Sequence, residues 1–340
     1  MIRQIRRLTR SIERCSGAVA VAVYAEPRDG RLVSVPAATR DYEGVACLDD
    51  AARAAILYCR IWHEQRHAWA ASAATGLLSF VMYMQDADGL FANFVLDWKG
   101  QINRTGSTSF PGGEWWSARA MHALAVGFAT FRTAALANAF RRGLARLTNP
   151  MDDMYARATA SLAALTFWQT TGEGEVRRLC HAWTREIGAN TRDGMLLDTL
   201  SARPARSWGH VQEGTLALVG EAFDDRGLIS VASRSAHLRL APQARMCHVA
   251  SRVEPHDISS LLFSLHAVHG VVGSGALAEA AERARSWFAG SNTAGTAVYD
   301  AANGLVFDGV DSGRISHNSG AEANIEAALA LYDVLPWSRY

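Results

Sequence analysis

The feature that most constrains this chain is an alternation repeated six times. A helical stretch with one polar face is followed by a loop, and then by a helical stretch that is apolar or small almost throughout and opens on acidic, His or Trp residues. The polar-faced stretches fall at residues 1–15, 67–84, 131–146, 174–190, 226–241 and 275–289. In the first, Ile2, Ile5, Leu8 and Ile12 form a stripe opposite arginines, the pattern of a helix with one wet face. Their partners fall at 48–66, 113–129, 151–171, 208–223, 256–272 and 318–334, and segments such as Ala118–Phe128 suit helices enclosed on all sides.

Six wet and six dry helices predict an all-α fold, an (α/α)6 toroid of six inner and six outer helices, occupying residues 1–340 as a single domain. Loop lengths agree. The connections leaving each dry stretch are short, whereas several entering one are long, at about 16–47, 85–112, 191–207 and 290–317. In an up-down ring all the entering loops share one face, so function is expected at the N-terminal ends of the dry helices. Within those loops Asp88-Gly89, Asp193-Gly194, Asn303-Gly304 and Asp29-Gly30 are turn-forming pairs, each expected to start a short β-hairpin over that face.

Composition narrows the function. A net charge of +1 argues against a nucleic-acid partner, and the cluster Arg3, Arg6, Arg7, Arg10 and Arg14 reads as a solvated helix face. The apolar run Gly17–Ala25 is too short to span a membrane and the start lacks a signal-peptide core, so the expected location is cytoplasmic, with no membrane partner. Cys15, Cys47, Cys59, Cys180 and Cys247 include no CxxC pair and read as reduced thiols. Lys99 is the sole lysine, which disfavours Schiff-base chemistry, and no P-loop is present. His63-Glu64-Gln65-Arg66-His67 matches the zinc motif H-E-x-x-H, but it falls at the trimmed end of the first pair and Ala73 stands where a third ligand would follow. The expectation is therefore no metal and no cofactor, with a zinc protease disfavoured.

The chemistry is expected at the helix openings. Asp49 and Asp50 begin the first dry helix; one of them is read as its cap, or as paired with Arg53, and the other as pointing into the mouth. Glu114, Trp115, Trp116 and Arg119 begin the second, and indole faces stack on sugar rings while carboxylates and guanidinium bind hydroxyls. Asn149-Pro150 reads as an ordinary cap for the third, leaving Asp153 and Tyr155 as lining. In the fourth, Trp208 and His210 precede Glu213, a carboxylate too deep to cap, whose alternative is a buried pair. Glu254-Pro255-His256-Asp257 reads as structural. In the sixth, Ser319 and Glu322 fit a capping box, and His317, Asn318 and Asn324 remain as polar surplus.

These features resemble the six-hairpin (α/α)6 carbohydrate-active proteins: unsaturated-glucuronyl hydrolases, other toroid glycoside hydrolases, lyases and sugar epimerases. The likeness covers the whole chain as architecture, and rests on Leu48-Asp49-Asp50, the Asp-Gly hairpins and the Trp-rich mouth. It implies a carbohydrate substrate and a glycoside hydrolase in which Asp50, with Asp49 as partner, faces Glu114 or Glu213 as general acid and base. Trp115, Trp116, Arg119, Asp153, Tyr155, Trp208, His210, His317, Asn318 and Glu322 would bind substrate. Three alternatives carry different signatures. A lyase or epimerase needs His or Tyr as base beside arginine, a glycan-binding toroid needs indoles without an acid pair, and a terpenoid cyclase, which Cys47-Leu48-Asp49-Asp50 partly matches, needs a closed dry pocket. Oligomeric state is not legible in the sequence.

Overall fold

The computed structural model describes residues 1–37, 43–147, 151–200 and 209–332. Along the chain the helices are α1 (Ile2–Leu8), α2 (Leu48–Gln65), α3 (Ala68–Tyr83), α4 (Glu114–Phe131), α5 (Ala134–Leu144), α6 (Met154–Thr171) and α7 (Gly174–Ala189). They continue with α8 (Gln212–Phe223), α9 (Arg226–Ser235), α10 (Ala241–Met246), α11 (Pro255–Val272), α12 (Gly275–Ser286) and α13 (Ala321–Leu331). A π-helical turn, Ala236–Leu240, joins α9 to α10, so that both belong to one outer rod.

The wiring follows from how the inner helices stop. α2, α4, α6, α8 and α11 are capped by Arg66, Arg132, Gly172, Asp224 and Gly273, all with positive φ, and each cap N–H donates to the carbonyl four residues back. A single extended residue follows each cap, and the next helix starts at once. The chain thus reverses in two residues and lays each outer helix on the inner helix it has just left, α3 on α2, α5 on α4, α7 on α6, α9 on α8 and α12 on α11.

The inner helices pack in the order α2, α4, α6, α8, α11, α13, and α13 returns to touch α2. α1 packs on α13, so the first helix completes the last pair, and the Gln4 side-chain amide donates to the Ser319 carbonyl at 3.1 Å. Enclosure matches the apolar pattern: every residue from Met154 to Phe167 is buried. One continuous apolar core runs from Ile5 to Ala330. The architecture is the (α/α)6 toroid with short hairpins in its loops. Among the described residues no helix is long and apolar enough to cross a membrane.

Three of the four turn dipeptides sit between paired strands. Tyr24–Arg28 pairs with Arg31–Val35, Thr191–Arg192 with Met195–Leu196, and Tyr299–Asp300 with Leu305–Val306, all antiparallel. Asp29 and Gly30, like Asp193 and Gly194, all have positive φ, which two-residue hairpins with the right-handed strand twist require. Asp88-Gly89 differs: the chain forms only the isolated bridge Gln85 to Phe91, and Gly89 is pressed against the Arg142 carbonyl, 2.3 Å from where a Cβ would stand.

The first helix also departs from expectation. The stretch 1–15 is helical only to Leu8, because Thr9–Ser11 turns into a strand antiparallel to Val19–Val21. Thr and Ser are weak helix formers, and Gly17 at φ 80 lets the chain double back. Ile12 nevertheless stays buried.

Candidate functional site

A cavity of about 880 Å3, its open mouth included, runs down the ring axis from the N-terminal ends of the inner helices. Every inner helix contributes, α8 through Gly209 and Val211 just ahead of its first turn. Near the opening stand Arg53, Arg119, Tyr155, His256 and Glu326. Elaborated loops and axial cavity therefore share the face where the sequence places function.

Arg53 organises the opening. Its buried guanidinium donates to Asp50 at 2.6 Å, to Glu322 at 2.9 Å, to Asp49 at 3.3 Å and, most closely of all, to Glu326. Arg119 also pairs with Asp49, and its Nε donates to the Tyr155 hydroxyl at 2.7 Å. Two guanidinium groups thus meet four carboxylates drawn from the first and last inner helices. His256 adjoins them, with Nδ1 3.8 Å from Glu322.

The shared cation does not treat these acids alike. Burial pushes Asp50 up to about 7 against the pull of Arg53, with Glu322 and Asp49 adding to the rise. Glu322 goes the other way: burial opposes its charge, but Arg53, His256 and Arg119 together hold it well below the ordinary carboxylate range. Asp50 is almost fully covered, whereas the Glu322 side chain is 45% exposed and that of Asp49 22%. Burial raises the Tyr155 phenol and lowers His122 to about 4, so both are neutral near pH 7.

Neither aspartate caps α2. Cys47 does, its sulfur accepting from the Asp50 N–H at 3.4 Å, which leaves both carboxylates for the arginines. The expected capping box at the sixth opening is likewise replaced: Gly320 is the N-cap of α13, and the Ser319 hydroxyl donates to the Val306 carbonyl at 2.7 Å. Glu322 is thereby left for Arg53. Asn324 is internal, accepting from the Val306 N–H at 2.9 Å.

Other candidates lie away from the cavity. Glu114 accepts from the backbone N–H groups of Asp152 and Asp153 at 3.3 and 3.1 Å and so fixes the loop leading into α6. Asp153 caps α6, accepting from the Ala156 N–H at 3.0 Å, a role expected of the Asn149-Pro150 segment, of which Asn149 and Pro150 lie outside the described residues. Asp153→Ala should lower stability by about 1 kcal/mol, read from urea unfolding, without changing any turnover. Trp116 is core: its Nε1 donates to the Phe91 carbonyl at 2.8 Å and its ring meets Phe110 edge-on. Trp115 is 41% exposed outside the cavity, and Trp208 lies outside the described residues.

Glu213 faces the outer wall instead of the mouth. It accepts from Ser235 of α9 at 2.7 Å, and burial raises its carboxyl against the pull of Arg239. Arg239 itself grips Asp198 with distances of 2.7 and 2.8 Å, and His210 Nε2 meets the Gln243 side chain at 2.7 Å. His317 is exposed and edge-on to Phe307, and Asn318 accepts from the Asp308 N–H through its carbonyl. Of the H-E-x-x-H residues, Glu64 pairs with Arg60 at 2.8 Å and His67 stacks on Trp69. Among the described residues no cluster of three potential metal ligands occurs.

Of the residues the sequence offers for the mouth, the structure brings Asp49, Asp50, Arg119, Tyr155 and Glu322 together, around a hub, Arg53, that the sequence did not single out, and it adds Glu326, His122 and His256. Glu326 carried a readable signal, an acid in an otherwise apolar helix face. His256 was hidden by the capping look of Glu254-Pro255-His256-Asp257, where Asp257 does accept from the Glu254 N–H at 2.8 Å.

The sequence matches no protein-family model and no curated protein. Solved structures do share its shape. A sugar epimerase from a ruminal bacterium superposes with a TM-score of 0.70 at 10% identity, over 98% of this chain and 96% of that one. D-mannose isomerase gives 0.67 at 9%, over 94% and 93%. A family 76 glycoside hydrolase, an α-mannanase from Bacteroides thetaiotaomicron, gives 0.65 at 11%, over 97% and 91%. The chain has the six-hairpin toroid fold. Identities this low establish that fold and not a reaction.

Proposed function

We propose that this toroid is a carbohydrate-acting enzyme, a glycoside hydrolase for a neutral sugar, with Glu322 and Asp49 as the reacting carboxylates. The observation that carries this reading is the pair itself: two partly exposed acids from the first and last inner helices, each bonded to Arg53, whose buried guanidinium lines the axial cavity. Glu322, held ionised, suits the base that activates water, and Asp49, on the other side of Arg53, is its partner carboxylate. Asp50 sets the charge around them without touching substrate. Arg119, Tyr155 and His256 supply hydrogen bonds for sugar hydroxyls. A glycan-binding toroid is disfavoured because Trp116 is core and Trp115 lies outside the cavity.

One observation favours a second reading. His122, Tyr155 and His256 also line the cavity, next to Arg53 and Arg119, and such a set suits proton transfer at the carbon beside a sugar carbonyl, as an epimerase or isomerase requires. A single experiment separates the two: neutral oligosaccharides and free aldoses are incubated with the protein in D2O and followed by NMR. New reducing ends with no deuterium on carbon are the expected result. Carbon-bound deuterium with interconversion of aldoses would replace the hydrolase by the second reading, and neither signal would sink both.

A further inference from the structure

Below the charged opening the cavity changes character. At 1.5 Å per residue, Arg53, Arg119 and Glu326 lie about 7 Å below the first residues of their helices. Ile56, His122, Leu162, Phe263 and Leu329 lie about 12 Å below theirs and line the same cavity. Phe263 and Leu329 are only half-buried although each sits deep within an inner helix, so it is the axial space that leaves them uncovered. Polar atoms at this depth offer little to a polar solute. Of the side chains at this level, Ile56, Leu162, Phe263 and Leu329 are apolar and His122 carries no charge near neutral pH; the hydroxyls one turn above are already engaged, Thr159 donating to the Tyr155 carbonyl at 2.9 Å and Ser260 to the His256 carbonyl at 3.1 Å. A sugar ring seated here would lose most of its water in exchange for the hydrogen bonds of a single imidazole.

We propose that this lower shaft binds a hydrocarbon chain, so that the substrate is a sugar joined to an alkyl-type aglycone: the sugar at the level of Glu322 and Tyr155, the chain running down over Leu162, Phe263 and Leu329. Placing the sugar rests on the hydrolase reading; the hydrocarbon site itself does not. Seating an alkyl chain against these side chains removes apolar surface on both partners from water.

Straight-chain 1-alkanols from butanol to octanol probe the shaft without any sugar, by calorimetric titration of the intact protein. Affinity should tighten about fourfold per added methylene until the chain fills the shaft. Leu329→Asp should abolish that dependence, and Phe263→Ala should extend it to longer chains, which keeps the test intact if the aspartate variant fails to fold. Affinity independent of chain length, or a dependence identical in every folded variant, would overturn the proposal. The two claims fail separately. Alkanol binding without glycoside turnover removes the hydrolase and keeps the shaft, whereas turnover of methyl glycosides without alkanol binding does the reverse.

Discussion

Replacing Glu322 by glutamine is expected to lower kcat by about 10²–10⁴-fold, the range for losing a general base or acid, while the unfolding midpoint moves little. Glu322 is half-exposed, and its loss leaves Arg53 with three other carboxylates. Partly exposed ion pairs contribute about 0–1 kcal/mol, so stability and turnover should separate. The pH profile gives a second readout. Because Glu322 is held below the ordinary carboxylate range, it remains ionised through mild acid; because burial pushes Asp50 up to about 7, its negative charge arrives as pH rises through that value. Turnover should fall on that alkaline side, and Asp50→Asn should remove the fall. A glutamine variant within a few-fold of wild type would end the catalytic assignment, and a collapse of its fold would make Glu322 scaffold.

Arg53→Met should destabilise the protein by about 3–5 kcal/mol at neutral pH, the cost of stranding buried charge after its partner is removed. Methionine retains much of the aliphatic packing, so the loss is electrostatic. Glu322, depressed in the fold, contributes stability that is present above the ordinary carboxylate pKa and disappears as pH falls through its lowered value. Asp50, raised to about 7, has the opposite sign: its contribution is complete below the ordinary carboxylate range and is lost as pH rises through about 7. Without Arg53 the Glu322 contribution is gone, so the gap between wild type and variant should narrow on acidification. Urea unfolding at several pH values measures it, and a gap constant with pH would assign the loss to packing.

What could be read from the sequence follows distance along the chain. The toroid was legible because each enclosed helix carries its own pattern, and the two-residue reversals lay neighbours in sequence side by side in space. Asp49 and Asp50 were legible as candidates because they stand together at a helix start, and the structure puts both on Arg53. The hub was not: Arg53 lies four residues after Asp49, the spacing of an ordinary surface pair, and nothing local announces that its other partners, Glu322 and Glu326, come from a helix some 270 residues further on. Glu213 misled for the same reason. A carboxylate among apolar residues signals a partner but not its side, and here Ser235 and Arg239 of the outer rod supply one. Trp115 and Trp116 look equivalent in sequence, and only packing against Phe91 and Phe110 makes the second part of the core.

The seam of the ring has a consequence for how the protein comes into being. Five of the six hairpins can form from consecutive segments, but the meeting of α13 with α2 closes a loop of almost the whole chain, and long closures are reached late. Arg53 and Glu326 face each other across that seam. The charged cluster is therefore expected to form only when the ring closes, and a chain whose seam is still open holds Arg53 beside Asp49 and Asp50 without Glu322. Recovered activity would act as a clock for ring closure, while recovered helix content would run ahead of it.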